Sequence, residues 1–429
     1  MNSSYWIETL GCPKNKVDSE KLEGRLVSQG LVSAANASTA DLVVVNTCSF
    51  IEAARVESID TVLDLVEIKK RSAKVVVTGC MAERYGEELA IELPEVDLVV
   101  GFGKDLLGYA PALPESVPVK IKGRLKRGLG SRDFDLLNLP RPKVSASWAY
   151  LKIAEGCDRA CGFCAIPSFR GKQQSRPIES IVEEARGLDV REVVLIAQDL
   201  ASYGSDIYGA KRLVDLIGRL SGHLDRVRLF YIYPSELTGA LIDAIVATGI
   251  PYFDLSLQHS SRQLLRRMKR WGSGERFMDK IRAIRAIEPN AVFRSSFIIG
   301  YPGETEEDQD DLLRFIEEAQ LDWAGFFTFS DEDGTYAHTL DGKVERSLML
   351  ERLAEVSELQ EAITQKKRVD LIGTKVNALV DGLGVARSYR EAPEIDGIIK
   401  IDAGIPSGGY VDLVISGSEG PDLYGELAD

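Results

Sequence analysis

The sequence predicts an α/β protein in three parts: an N-terminal open parallel sheet with helices on its faces, a central partial (β/α)6 barrel, and a small all-β barrel at the carboxyl end. Three observations predict it. Over residues 1–120, short β-rich runs alternate with helix-length amphipathic segments, the pattern of a parallel sheet. Six more apolar runs, each followed by a helical pattern, come after a break rich in basic residues, Gly and Pro. Beyond residue 375 only short strands with Gly and Pro turns remain.

In the first part, strands are expected at Tyr5 to Leu10, Leu42 to Asn46, Lys74 to Thr78 and Asp97 to Gly101, with helices over Asp18 to Gln29, Phe50 to Lys69 and Glu83 to Leu93. Three of these strands run straight into a cysteine. SSYWIETLGC ends at Cys12, DLVVVNTCSF carries Cys48, and SAKVVVTGC ends at Cys80. Ligand sites of open α/β sheets lie beyond the carboxyl ends of the strands, so the three thiols are expected to converge on one edge. Taken singly, each reads as a buried core cysteine. Three at equivalent strand ends, accounting for every cysteine outside the central segment, point instead to a shared centre.

The stretch KIKGRLKRGLGSRDFDLLNLPRP reads as a linker, placed at 121–145. The barrel is expected over 146–367, with strands at Trp148 to Ala154, Glu192 to Gln198, Arg226 to Tyr233, Tyr252 to Leu257, Ala291 to Ile299 and Trp323 to Ser330, and a long helix from Glu345 to Arg368. Chemistry in such a barrel gathers at the carboxyl ends of its strands. The last part, 368–429, is the small β domain.

A chain of 429 residues is too long for one ordinary core. With 66 acidic against 52 basic residues it is strongly acidic, which argues against broad affinity for nucleic acid and suits a basic protein partner. No stretch is long and apolar enough to span a bilayer, and the first residues carry no apolar signal region, so a cytoplasmic location is expected. Six cysteines are too few for a secreted disulfide scaffold; clustered cysteines in a reducing compartment ligate metal or do redox work.

Just after the first barrel strand stands EGCDRACGFCAIP, which spaces Cys157, Cys161 and Cys164 as C-x3-C-x2-C. Three thiolates within eight residues can hold one metal centre. Structural zinc takes four ligands, and this segment offers no fourth; a cubane iron-sulfur cluster on three thiolates leaves one iron open. Both remain readings of the spacing, with the cluster favoured.

The segment resembles the signature of the radical S-adenosylmethionine superfamily, including the aromatic residue Phe163 before the last cysteine. The resemblance implies a TIM-like radical barrel in which the open iron binds S-adenosylmethionine and cleaves it reductively to a 5'-deoxyadenosyl radical. A three-cysteine domain before such a barrel and a small β domain after it look like the methylthiotransferases over essentially the whole chain. That family implies a second 4Fe-4S cluster on Cys12, Cys48 and Cys80, where the inserted sulfur is carried and methylated, and a C-terminal domain like the TRAM module. It also implies S-adenosylmethionine as cofactor and an external one-electron reductant such as flavodoxin.

One branch of the family modifies adenosine in transfer RNA and another an aspartate β-carbon of ribosomal small-subunit protein twelve. TLGCPKNKVDSE, EGCDRACGFCAIPSFRGK and REAPEIDG are similar to the second branch, with Gln174 standing where a basic residue is usual. From Arg368 to Asp429 there are five basic and eleven acidic residues, a charge that suits a basic ribosomal protein better than RNA. A transfer RNA enzyme remains the nearer alternative, with Lys120 to Arg127 as its RNA face, and a non-catalytic iron-sulfur or zinc protein the more distant one.

Other candidates follow from position. In SSFIIGYPGETEED, Thr305 and Asp308 form a helix-capping pattern, and Gly300, Pro302 and Gly303 are expected to border the S-adenosylmethionine pocket. Gln198, Gln258 and Arg294 are expected as cofactor contacts at the carboxyl ends of barrel strands. His259 is expected to be a hydrogen-bonded core residue. No general base is assigned, because hydrogen-atom abstraction by a radical requires none.

Overall fold

The computed structural model describes residues 3–104, 106 and 135–428. The part of the expected linker over 121–134, and the basic run Lys120 to Arg127, lie outside the described residues.

The first domain runs β1 (Ser4–Thr9), α1 (Pro13–Ser28), β2 (Val32–Ser33), β3 (Leu42–Thr47), α2 (Glu52–Ile68), β4 (Lys74–Gly79), α3 (Cys80–Glu92) and β5 (Leu98–Val99). Its sheet is parallel throughout, in the order β2-β1-β3-β4-β5. Every residue of β3 is buried, because helices cover both faces and successive side chains alternate between two cores. Leu42 and Val44 join Tyr5, Leu22 and Val76 on one face; Val43 and Val45 join Val62, Val75 and Val77 on the other. Helix α1 begins at Pro13, five residues ahead of the expected Asp18. Proline suits the first helical position, where its missing N–H would have no partner in any case.

The second domain follows with β6 (Trp148–Lys152), β7 (Ala154–Glu155), α4 (Ile166–Arg170), β8 (Gln174–Ser175), α5 (Ile178–Leu188), β9 (Glu192–Ile196), α6 (Ser205–Tyr208), α7 (Leu213–Ser221) and β10 (Arg226–Leu229). It continues through α8 (Gly239–Ala247), β11 (Tyr252–Gln258), α9 (Arg262–Arg267), α10 (Gly274–Ile287), β12 (Val292–Ile299), α11 (Glu306–Ala319), β13 (Trp323–Thr328) and α12 (Arg346–Val369). All six expected barrel strands are present. They form two parallel sheets, β6-β9-β10 and β11-β12-β13, joined where Ile232 bridges Leu255, so the spatial order follows the sequence. The capping box of Thr305 and Asp308 opens α11 as expected.

The third domain is a closed barrel of β14 (Lys375–Gly382), β15 (Val385–Arg387), β16 (Ile399–Lys400), β17 (Tyr410–Glu419) and β18 (Asp422–Leu427), in the order β14-β15-β16-β18-β17. The segment 387–397 seats it against the first residues of the barrel strands. Trp323 Nε1 donates to the Arg390 carbonyl (2.9 Å), Arg228 to the Tyr389 carbonyl (3.0 Å), and the Tyr252 hydroxyl to Asp396 (2.6 Å). Arg387 reaches back to Glu192 at 3.2 Å. The carboxyl ends of the strands are thus left to the cysteine-bearing segments. Among the described residues no helix is long and apolar enough to cross a membrane.

Candidate functional site

The three N-terminal thiols gather where the parallel strands end. Cys12 caps α1, Cys48 follows β3 and is buried, and Cys80 opens α3 directly after Gly79. All six cysteines are free. Gly11 sits at φ +87°, and a methyl group there would lie 2.6 Å from Cys48 Cβ and 2.7 Å from its Sγ, so the Cys12 loop packs directly on Cys48. Burial, then the neighbouring Cys80, pushes the Cys48 thiol up to about 12; burial also raises Cys80, and Cys12 adds to both. Thiols in such surroundings ionise where a metal supplies the compensating charge.

The central triad lies on the loop between β7 and α4. Its backbone is pinned by Cys157 N–H to the Gly171 carbonyl (3.0 Å), Gly162 N–H to the Met268 carbonyl (2.7 Å) and Cys164 N–H to the Cys161 carbonyl (3.1 Å). Arg270 Nη1 stands 3.4 Å from Cys161 Sγ, and the Arg159 N–H donates to Cys157 Sγ at 3.4 Å. Burial raises Cys157 to about 11 and Cys164 to about 12. Among the described residues no three His, Cys, Asp or Glu side chains are placed to hold one metal ion. A mononuclear zinc site needs that convergence. Thiolates that each hold a different iron of a cubane do not, and three thiols are a donor set that such a cluster takes.

Arg170 links the helix behind the central triad to the N-terminal thiols. It ends α4, the helix that follows Cys164, and its guanidinium reaches Cys80 Sγ (3.0 Å), Asn15 Oδ1 (2.6 Å), Asp18 (2.9 Å) and Glu155 (2.9 Å). Lys152 also pairs with Asp18 (2.6 Å) and with Glu155. The segment after β10 makes a second link: Tyr231 lies under the Lys14 ammonium (3.6 Å to the ring centroid), while Tyr233 lies against Arg159 (3.8 Å) and Arg270 (3.9 Å). A cleft of about 600 Å³ lined by Gly11, Cys12, Lys16, Tyr150 and Glu394 opens Cys12 to the surface between the three domains. Sequence alone does not single out Arg170, Lys14, Tyr231 or Arg270; the signal available was that Lys14 lies within CPKN, Arg170 within SFRGK and Tyr231 at the end of a barrel strand.

The expected cofactor residues divide. Gln198 lies past the end of β9; its Nε2 donates to Glu155 (2.6 Å), and its buried Oε1 has no hydrogen-bond partner among the described residues. Gln258 ends β11 with φ +74°, a conformation uncommon outside glycine. Phe163 is half-buried against the main barrel core. Pro302 is buried in the turn after β12. Gly300 and Gly303 both have positive φ, and their missing side chains make room for Met349 and for the Arg267 guanidinium respectively, so packing within the protein accounts for both glycines. Arg294 requires a correction. It is the third residue of β12 rather than near its carboxyl end, and it pairs with Asp254 (3.2 Å) and with Asp396 of the third domain (3.5 Å).

His259 is a core residue, as expected: fully buried, with Nδ1 accepting the Ser261 N–H at 2.9 Å. Burial lowers its pKa from 6.5 to about 4. The unfolded chain therefore binds a proton that the folded chain refuses, and stability is lost as pH falls from 6.5 towards 4, by up to about 3 kcal/mol. Denaturant unfolding across that window is expected to show the loss, and His259→Asn, which keeps the acceptor, is expected to flatten it.

Comparison with known proteins agrees with this architecture. Residues 4–101 match the family described as uncharacterized protein family UPF0004, residues 151–316 the Radical SAM superfamily, and residues 363–428 the TRAM domain. The solved radical S-adenosylmethionine methyltransferase TsrM of Kitasatospora setae superposes with a TM-score of 0.51 at 14% identity, covering 85% of this chain and 89% of that one. The cobalamin-dependent radical enzyme OxsB gives a TM-score of 0.50 at 12% identity over 84% of this chain, which spans 56% of that longer protein. Fold and family matches together define a radical S-adenosylmethionine enzyme, with S-adenosylmethionine and a 4Fe-4S cluster as its cofactors.

Two relatives narrow the class. The ribosomal protein uS12 methylthiotransferase RimO of Kineococcus radiotolerans is 40% identical, covering 99% of this chain and 97% of its own. RimO of Aquifex aeolicus is 39% identical, covering 98% and 96%. The chain belongs to the RimO family of methylthiotransferases.

Proposed function

We propose that the chain holds two 4Fe-4S clusters, one on Cys12, Cys48 and Cys80 and one on Cys157, Cys161 and Cys164, and inserts a methylthio group at the β-carbon of an aspartate in ribosomal protein uS12. The observation that supports this reading is Arg170, which extends from the helix after Cys164 to Cys80 Sγ and so links the segment behind the central thiols to the N-terminal set. The relatives' shared name, uS12 methylthiotransferase, supports the substrate. So does the charge of the third domain. Arg368 pairs with Glu391, Arg387 with Glu192 and Asp381, and Lys400 with Glu419 and Asp422, while Asp402, Asp412 and Glu426 stay exposed to a basic partner.

When bound, the clusters and S-adenosylmethionine supply the radical and sulfur chemistry. The chain's own residues hold and orient. Arg270 and the Arg159 N–H face the central thiols, Arg170 faces Cys80, and Gln198, Gln258, Phe163 and Pro302 form the S-adenosylmethionine side. The three functional units are the cysteine-bearing domain 1–120, the barrel 146–367 and the TRAM-like domain 368–429, with 121–145 as linker. An external one-electron donor such as flavodoxin supplies the electron, and the enzyme works in the cytoplasm.

Anaerobically reconstituted protein is expected to carry about eight irons per chain and, with S-adenosylmethionine, sulfide and reductant, to add a methylthio group to one aspartate of uS12, read by peptide mass spectrometry. Unmodified uS12 from protein that holds both clusters would contradict the proposal. Gly11→Ala, whose methyl group displaces Cys48, is expected to drop the iron to about four per chain while the central cluster remains.

A further inference from the structure

Lys14 stands two residues past Cys12, and its ammonium lies over the face of Tyr231. The contact joins the Cys12 loop to the barrel, because Tyr231 stands just beyond β10. Tyr231 has φ +64°, which an aromatic residue seldom adopts, and its N–H is fixed to Asp254 Oδ2 at 2.9 Å.

The neighbouring cations are already engaged. Lys16 pairs with Glu394, Arg159 with Asp199 and Glu236, Arg170 with Asp18 and Glu155, and Arg294 with Asp254 and Asp396. Arg270 is taken by Cys161 Sγ and the Ser256 carbonyl. Lys14 has neither a carboxylate partner nor a hydrogen-bond acceptor among the described residues, so its three N–H donors are available. Nor does the fold call for a cation there: Lys14 lies in the first turn of α1, where the helix dipole disfavours positive charge.

We infer that Lys14 receives the side-chain carboxylate of the target residue, with the Tyr231 ring as the wall against which the adjoining β-carbon is held. The inference rests on the proposed function and deepens it. In an aspartate the carboxylate is bonded directly to the β-carbon, so a cation that fixes the carboxylate fixes the reacting atom at the Cys12 loop, against the Tyr231 ring. The same geometry makes Lys14 a determinant of specificity, because a neutral target gives the ammonium no counter-charge.

The test compares uS12 with uS12 whose target aspartate is asparagine, each titrated against the reconstituted holoenzyme by fluorescence anisotropy. Wild-type protein is expected to bind the aspartate form about ten-fold tighter, equivalent to about 1.4 kcal/mol. Lys14→Met, of similar length and no charge, is expected to bind both forms alike, and Lys14→Arg to restore the preference. Each readout is a ratio on one variant, so it does not depend on how much cluster that variant loads. Equal binding of the two forms by wild type, or a ten-fold preference kept by Lys14→Met, would overturn the inference while leaving methylthiolation of uS12 in place. Absence of any methylthiolation by wild type would overturn the proposed function, and the inference with it.

Discussion

Replacing Cys161 with alanine is expected to abolish cleavage of S-adenosylmethionine, whereas replacing Cys48 with alanine is expected to leave cleavage and stop transfer of the methylthio group. The two thiols belong to different sets on different domains. Cys161 lies on a loop pinned to Gly171 and Met268 and faces Arg270; Cys48 lies under Gly11 at the end of β3. Loss of a ligating thiolate exceeds the roughly 10- to 100-fold effect of removing an outer-shell partner, so each activity should fall to background in its own variant. Release of 5'-deoxyadenosine reports the first activity and the mass of uS12 the second. A Cys48→Ala protein that still methylthiolates uS12 would place the sulfur chemistry elsewhere.

The second large effect is on stability. Arg170→Met removes the guanidinium that pairs with Asp18 and Glu155 in a buried cluster that also holds Lys152. Breaking a buried ion pair from one side leaves a carboxylate without its counter-charge, and about 3–5 kcal/mol of stability is expected to be lost. The loss falls on the junction of the first two domains, since Asp18 lies on α1 and Glu155 on β7. Denaturant unfolding with separate probes on the two domains should show the first domain releasing early, and Arg170→Lys should recover part of the stability. An unchanged midpoint would mean that Arg170 does not tie the domains together.

The architecture was legible where it is written locally. Runs such as DLVVVNT and SAKVVVT announce buried parallel strands, and a cysteine at each strand end announces the edge on which they meet. Spacing alone marked Cys157, Cys161 and Cys164. What sequence did not yield is pairing across domains. Arg294 reads from sequence as a residue at the carboxyl end of its strand although it stands near the start of Ala291 to Ile299, and its partner Asp396 lies about a hundred residues further on. Gly300 was read as clearance for a ligand, whereas the space is filled by Met349 from α12. Lys14 and Arg170 lie within CPKN and SFRGK, but neither motif says what its cation touches, and Tyr231 carries no motif of its own. Their importance comes from which domain they reach, and that is a property of the folded chain.

The most direct test of the account is a competition. Anaerobically reconstituted protein would be given S-adenosylmethionine, sulfide and reductant together with both uS12 and bulk transfer RNA, and each would then be analysed by mass spectrometry. The account predicts a methylthio group on one aspartate of uS12 and none on RNA. A methylthio group on adenosine would contradict it, leaving the clusters and the barrel in place but overturning the roles given to Lys14 and to the acidic third domain.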